Sequence, residues 1–293
     1  MAKITVLSLL FTLSLTGCGL FSSKYTDVSG LDLRPAEVAK YLVEEVNQNA
    51  RSTQSIRAFG KLTVRRGPIK QRFSEVIVFE RPDKLRLELF LSEFNKLTAL
   101  VTSSSGRVVA NDLSQSKLFY GMATHQNMTR LLHVPFTPEE VMLWTLGRFY
   151  IRPEAIVASR AYARTNGARK VLELGLDDGR KLLIGVSQSD GRVACANLCL
   201  DSIEVRSKQT DQTYFFSEYH YSDKSVKNFP DSISFVVPSL SLEGELALSE
   251  ITLNPSFTFQ EIEKLFPADP YSYDSATDLD QPERNGSSGW SLF

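Results

Sequence analysis

The cysteines and histidines are the side chains of this sequence best suited to metal or redox chemistry. The 293-residue chain has only three of each, and the histidines are His125, His133 and His220. These numbers and positions do not fit a zinc finger or a multi-histidine metal site. His125 and His133 are expected on the surface of a helix, and His220 is expected in a strand. The sequence therefore predicts no metal and no cofactor.

Cys195 and Cys199 form a C-x-x-x-C pair, which by itself is a weak signal. In an extended strand, residues four apart lie about 13 Å from each other, beyond the roughly 7 Å that a disulfide allows between Cα atoms. A turn at residues 196–198 would bring the two cysteines together. In an exported protein this favours a small structural disulfide over a redox pair.

Sequence patterns of common catalytic sites are missing from the body of the chain. We find no G-x-S-x-G, H-E-x-x-H, Walker or dinucleotide-binding glycine motif. The sequence therefore predicts that the protein is not an enzyme, with a hydrolase kept as a minor alternative.

The 33 basic and 34 acidic residues give a net charge of −1. Because no strong positive field results, a nucleic-acid partner is disfavoured.

The amino-terminal 17 residues have the parts of a secretory signal. Lys3 precedes an apolar run over residues 4–15, which is too short to span a bilayer of about 30 Å comfortably. The sequence Leu15-Thr16-Gly17-Cys18 that follows resembles the bacterial lipobox, in which the cysteine thiol receives a diacylglycerol and becomes the first residue. The alternative is an ordinary signal with an incidental cysteine. Acyl chains on Cys18 would anchor the protein stably in a membrane.

Composition divides the rest of the chain into three parts. Residues 18–35 are rich in small and polar side chains and are expected to form a lipidated tether. Residues 36–267 have the size of one domain. Residues 268–293 carry five acidic residues, one basic residue and a Gly-Ser cluster. Because this composition buries little apolar surface, it predicts a disordered acidic tail.

The pattern of apolar residues predicts one helix followed by many strands. Val38, Tyr41, Leu42 and Val46 recur at helical spacing after Pro35. Period-two alternation then begins near Ile56 and continues through successive short segments separated by turn residues. We expect a mainly β fold: an incomplete antiparallel β-barrel of about 11 strands with an amino-terminal helix and a helical lid or plug.

The helical lid is predicted from a capping box in the middle of the chain. Thr137, Pro138 and Glu140 have the spacing of a hydroxyl cap, a first-turn proline and a glutamate that returns to the cap. The helix that follows should end at Gly147, and a weaker helical segment over residues 124–132 precedes it. Candidate cavity or lid residues are Leu85, Leu87, Leu89, Val141 and Trp144. From composition alone, a filled core and a lipid-sized cavity are both open.

The order of these elements resembles the LolA/LolB lipoprotein-carrier superfamily. The likeness to LolB rests on two stretches, residues 86–100 and residues 131–148, the second with a proline-containing approach, a tryptophan and a terminal Leu-Gly. The resemblance implies an incomplete barrel with a helical lid that binds acyl chains without covalent chemistry. It implies a monomer at the outer membrane, anchored through Cys18 and facing the periplasm, with a LolA-like periplasmic carrier as a partner.

The same resemblance implies a lipid-transfer loop after the strand that contains Leu85–Leu89. Leu91 and Phe94 are the apolar residues there, and Phe94 is the candidate for contact with the membrane; the alternative is that Phe94 covers the core. This loop lacks the Pro-Leu-Gly sequence of LolB-like chains. The expected function is transfer or insertion of lipoproteins or lipids. The alternative is a structural or regulatory envelope lipoprotein that uses this fold to bind a protein partner.

Overall fold

A computed structural model describes residues 25–27, 35–164, 169–188, 198–221, 229–266 and 276–281. Within these residues the chain forms one sheet of 15 strands and four α-helices. The helices are α1 (Pro35–Arg51), α2 (His125–Leu132), α3 (Pro138–Thr145) and α4 (Phe259–Leu265). The first seven strands are β1 (Tyr25–Asp27), β2 (Ser55–Arg66), β3 (Ile69–Glu80), β4 (Lys84–Leu91), β5 (Lys96–Ser104), β6 (Arg107–Asp112) and β7 (Lys117–Met122). The others are β8 (Ile156–Arg164), β9 (Arg169–Leu176), β10 (Arg180–Gln188), β11 (Leu198–Ser207), β12 (Thr213–His220), β13 (Ser232–Val237), β14 (Leu242–Leu253) and β15 (Ala276–Asp278).

The sheet consists of two meanders joined side by side. Strands β2 to β7 pair in chain order, strands β8 to β14 do the same, and β14 pairs with β2. All neighbours are antiparallel except β15, which runs parallel to β7. The edge strands β1 and β15 do not pair with each other, so the sheet is open. This confirms a mainly β fold with an incomplete barrel.

The predicted number of strands, about 11, was too low. The prediction missed β1 and β15, which have three residues each, and β8, whose sequence Ile-Val-Ala-Ser-Arg-Ala-Tyr-Ala-Arg has a weak apolar face. Helix α4 was also missed. Short or weakly patterned segments of this kind form because their backbone hydrogen bonds are completed by a neighbouring strand, which local periodicity cannot reveal.

Helix α1 packs its apolar stripe against the sheet, as its spacing predicts. Val38, Leu42 and Val46 are buried, whereas Tyr41, which was expected on the same stripe, is exposed. The Asn47 side-chain amide donates to the Ile151 carbonyl, and the Ile151 N–H donates to Asn47 Oδ1, both at 2.7 Å. This buried pair of hydrogen bonds fixes α1 to the segment that leads into β8.

Helices α2 and α3 form where the capping signals predict. The Thr137 hydroxyl accepts from the Glu140 N–H and the Glu140 carboxylate accepts from the Thr137 N–H, which completes the capping box. Gly147 has φ +63°, as expected for a residue just past a helix end. The apolar side chains of α3 are buried on all sides. The helix is therefore part of the core and covers the inner face of the sheet.

Two short segments depart from the predicted tether and tail. Strand β1 pairs with β8 inside the region 18–35, and β15 pairs with β7 inside the region 268–293. Leu279 is buried, and the Arg130 guanidinium donates to its carbonyl. Residues 276–281 thus pack on the domain. Burial of Leu279 and pairing with the edge of β7 stabilise this segment despite its polar composition. None of the helices in the described ranges is long and apolar enough to cross a membrane.

Candidate binding site beneath helix α3

A small apolar cavity lies between α3 and the inner face of the sheet. Its volume is about 60 Å³, and all of its lining side chains except Glu75 and Thr145 are apolar. The lining residues are Leu62, Glu75, Leu87, Leu89, Val101, Leu132, Val134, Val141, Trp144, Thr145, Phe235 and Leu246. Four of the five residues predicted from sequence are among them. The fifth, Leu85, is buried in the core but does not line the cavity.

The cavity as it stands is too small for a long acyl chain. A volume of 60 Å³ is that of about two water molecules, whereas pockets for small-molecule ligands measure roughly 300–1,000 Å³. A ligand of many methylenes would therefore require α3 to move away from the sheet. The contacts that hold α3 in place accordingly decide whether the site can open.

Trp144 is the main apolar contact of α3. Its ring centroid lies 5.9 Å from that of Phe215 and 5.7 Å from that of Phe235, both edge-to-face, and 6.1 Å from that of Phe136. Its indole N–H donates to the Ser217 hydroxyl at 3.1 Å. These contacts join the helix to β12 and β13. Trp144 thus acts as core residue and cavity wall at once.

Polar contacts hold the amino-terminal end of α3. Arg180, at the start of β10, donates to both carboxylate oxygens of Glu140 at 3.1 and 3.2 Å and to the Pro135 carbonyl at 2.9 Å. Its Nε also lies 2.8 Å from Asp178 Oδ2. Arg81, in the β3–β4 turn, pairs with Glu139 at 3.2 Å. Together these ion pairs tie α3 to two separate parts of the sheet.

Replacing Arg180 with methionine is expected to destabilise the protein by about 2 kcal/mol, measured by urea unfolding. The change removes a buried cation from two carboxylates, and such losses are large because a partner charge remains. The expected cost is moderate because the side chains of Glu140 and Asp178 keep 15% and 19% exposure. The matched control is Lys181→Met, which removes partly exposed pairs with Glu173 and Asp211 and should cost below about 1 kcal/mol. Equal effects of the two variants would show that Arg180 does not hold α3.

Glu75 is the unexpected member of the cavity. It lies on the inner face of β3 with Phe73, Ile77 and Phe79, and only 7% of its surface is exposed. Among the described residues, its Oε2 has no hydrogen-bond partner. Burial raises the pKa of Glu75 from 4.5 to about 7. Sequence reasoning missed this residue, although its two-residue spacing from Phe73 and Ile77 places it on the core face.

A second, larger cleft lies beside the amino-terminal end of α3. Its volume is about 360 Å³, and it is lined by both charged and apolar residues, including Asp83, His125, Glu139, Asp178 and Arg180. Burial raises the pKa of Glu139, although the Arg81 guanidinium opposes this. Three of the carboxylates in this cleft, those of Glu139, Glu140 and Asp178, belong to the ion pairs that hold α3.

The predicted lipid-transfer loop is the turn between β4 and β5. Phe94 is 73% exposed at its tip, so it does not cover the core, whereas Leu91 packs against the core. Strands β2 and β4 run in the same direction, so the β2–β3 turn lies at the same end of the sheet. That turn exposes Ile69 at 61%. Leu89, which lines the cavity, lies only two residues before Leu91, so the cavity and these turns share one end of the barrel.

The other predicted chemical residues do not meet in one place. Cys199 is buried and disulfide-bonded, whereas Cys195 and Cys18 lie outside the described residues, so the Cys195–Cys199 pairing stays a prediction. His125 begins α2, His133 caps it, and His220 lies 2.9 Å from the Ser234 hydroxyl. No cluster of three or more metal-ligating side chains occurs in the part of the chain that the structure describes.

Comparisons with known proteins bear on the fold. Neither a protein-family model nor a curated protein matches the chain. A domain described as an outer membrane lipoprotein-sorting protein from Vibrio parahaemolyticus matches with a TM-score of 0.52 at 11% identity, over 78% of this chain and 97% of that one. A DUF1329 family protein from Desulfovibrio piger matches with a TM-score of 0.50 at 10% identity, over 80% of this chain and 100% of that one. A LolA superfamily protein from Nitrosomonas europaea matches at 14% identity with a TM-score of 0.48, over 75% and 96%. The open sheet with its covering helix therefore resembles in fold the lipoprotein-sorting domain from Vibrio parahaemolyticus and the DUF1329 family protein.

Proposed function

We propose that this protein is a lipid-anchored lipoprotein that faces the periplasm from the outer membrane and binds acyl chains beneath α3. In this role it assists the transfer or insertion of lipoproteins or lipids. The observation that carries the proposal is the apolar cavity between α3 and the inner face of the sheet. The LolA/LolB-like fold and the lipobox ending at Cys18 support it.

Burial of hydrocarbon is sufficient to drive such binding. Each buried methylene contributes about 0.8 kcal/mol, so burial of a chain of sixteen carbons contributes about 13 kcal/mol, which can offset the cost of moving a short helix. The buried apolar cluster that includes Phe136 and Leu246 provides the environment for such a chain once the helix has moved. Release into a bilayer follows from the same physics, because the bilayer interior offers equal burial.

The test is binding of a fluorescent fatty-acyl probe to the chain without residues 1–17 and with Cys18→Ser, which keeps every described residue. We expect saturable binding that unlabelled palmitate displaces, and lipid in mass spectra of the purified protein. Val141→Trp, which fills the cavity, should weaken probe binding at least about tenfold. The matched control is Val157→Trp, at an exposed position on β8, which should leave it unchanged. No bound lipid and no probe binding would refute the proposal.

The exposed turns at one end of the sheet suggest how the protein meets a membrane. Phe94 and Ile69 are the most exposed large apolar residues in these turns. Exposed basic side chains surround them, with Glu93 as an acid in the same turn; the basic residues are Arg65, Lys70, Arg72 and Lys96. Apolar side chains flanked by cations are suited to the interface of an anionic bilayer. We place transient membrane contact at this end.

Replacing Phe94 with alanine should weaken vesicle binding of the anchor-free protein about tenfold. The reason is that burial of a phenylalanine side chain contributes about 1.5–3 kcal/mol. Sedimentation with vesicles that contain phosphatidylglycerol measures the partition. The matched control is Phe259→Ala, which removes an equally exposed ring from α4, after the opposite end of β14. Equal losses in the two variants would contradict a specific role for the β4–β5 turn.

The small size of the present cavity favours one second candidate, a structural or regulatory envelope lipoprotein that binds a protein partner with this fold. In that case the interior would stay filled, and the outer surface would carry the function. Proximity labelling in cells would then return one stoichiometric partner rather than lipoproteins in general. Absence of probe binding together with such a partner would replace the first proposal by this one.

A further inference from the structure

The polar groups that line the cavity beneath α3 differ in whether they have a hydrogen-bond partner. The Trp144 indole N–H donates to Ser217, and the Thr145 hydroxyl donates to the Met142 carbonyl at 2.7 Å. Glu75 Oε2, in contrast, is buried with no hydrogen-bond partner among the described residues. Buried polar atoms are nearly always hydrogen-bonded in folded proteins, so an orphaned carboxyl oxygen in a cavity needs a reason.

The strand register determines which residues surround this carboxyl. Glu75 lies directly opposite Gly60 on β2 and opposite Leu89 on β4. Gly60 is on the inner face, since Ala58 and Leu62 on either side of it are buried there, and it presents no side chain to the carboxyl. Apart from Thr145, the other residues that line the cavity are apolar, and Glu75 is the one titratable group among the described lining residues.

From this geometry we infer that Glu75 accepts a hydrogen bond from the head of the acylated ligand and so selects chains that carry an amide N–H or an ammonium group. The inference rests on the proposed acyl-chain function and adds a ligand class to it. The apolar lining would hold the chain, and Glu75 would fix the position of the head.

The charge of the head decides the selectivity. A carboxylate is an acceptor only, so an ammonium or amide N–H beside it satisfies its orphaned oxygen. A fatty-acid carboxylate in the same place would put two like charges in an apolar cavity, and one of them would have to be protonated. Even one unpaired charge is unfavourable in this position, because burial among apolar side chains raises the pKa of Glu75 to about 7. Free fatty acids should therefore bind worse than neutral or cationic amphiphiles of equal chain length.

The experiment compares four ligands with the same twelve-carbon chain, each below its aggregation concentration, in displacing the fluorescent probe at pH 8. They are dodecylamine, N-methyldodecanamide, methyl dodecanoate and dodecanoate. The wild-type protein, in the anchor-free form described above, should bind the amine and the amide at least about tenfold more tightly than dodecanoate. Methyl dodecanoate, which has no donor and no charge, reports on chain binding alone.

Variants of Glu75 assign the preference to this side chain. In Glu75→Leu the preference for amine and amide over dodecanoate should fall to within about twofold, while methyl dodecanoate binds as well as before or better. In Glu75→Gln the amide should still bind, because the Gln oxygen accepts, while the preference for the amine over dodecanoate should fall. The exposed Glu245→Gln on β14 is the matched control and should behave as wild type.

The outcomes separate the inference from the function on which it rests. Binding of methyl dodecanoate without any head preference, or a preference that survives in Glu75→Leu, overturns the inference and leaves the acyl-chain function standing. Failure of all four ligands to displace the probe refutes the acyl-chain function, and the inference falls with it.

Discussion

Replacing Trp144 with alanine is expected to lower the free energy of unfolding by about 3–5 kcal/mol, the usual cost of truncating a fully packed aromatic residue. Trp144 is 5% exposed and contacts the rings of Phe136, Phe215 and Phe235. Its loss also leaves the Ser217 hydroxyl without its buried donor. For a domain of this size the cost corresponds to a decrease in melting temperature of about 10 °C, measurable by circular dichroism.

The matched control for this prediction is Trp144→Phe. Phenylalanine retains most of the ring contacts but removes the hydrogen bond to Ser217, so we expect a loss of about 1–2 kcal/mol. A melting temperature of the alanine variant equal to that of wild type would show that Trp144 does not hold α3 against the sheet. The two variants thus separate the packing of the ring from its single polar contact.

The second large effect concerns Glu75 and is a dependence of stability on pH. In the folded protein its pKa is about 7, against 4.5 as the reference value for the unfolded chain. Between these values the native state binds the proton and the unfolded chain does not. The contribution of Glu75 to stability therefore decreases as pH rises from about 4.5 to 7 and is constant above this range. The difference between the two pKa values corresponds to a decrease of about 3 kcal/mol in the free energy of unfolding.

Glu75→Gln should remove this dependence, because glutamine stays neutral in both states. We expect the variant to gain about 3 kcal/mol over wild type on going from pH 4.5 to pH 8, in urea unfolding at fixed ionic strength. Glu245→Gln, an exposed position on strand β14, controls for a change in net charge. A constant difference between Glu75→Gln and wild type across this range would mean that the Glu75 carboxyl is not buried.

Local sequence patterns determined the class of the fold and its main helices. The capping box of α3 could be predicted because Thr137 and Glu140 contact each other within one turn. The same holds for the alternation of Leu85, Leu87 and Leu89, which required only the two-residue period of a strand. The position of the helical lid between two runs of strands followed from the order of such elements. These signals depend only on residues that are close in sequence, so they can be recognised without knowing which contacts the rest of the chain makes.

Only the tertiary structure decided which residues meet. Arg180 and Glu140 are 40 residues apart in the chain, and no local pattern pairs them. Phe94 could have covered the core or faced solvent, and the open turn after β4 exposes it. The strands β1 and β15 form through pairing with distant neighbours.

Whether the interior is filled depends on how closely α3 approaches the sheet, and that distance is set by packing of residues far apart in the sequence. Glu75 acquires its unpaired, buried state only there, because its environment comes from several strands and a helix rather than from its neighbours in the chain.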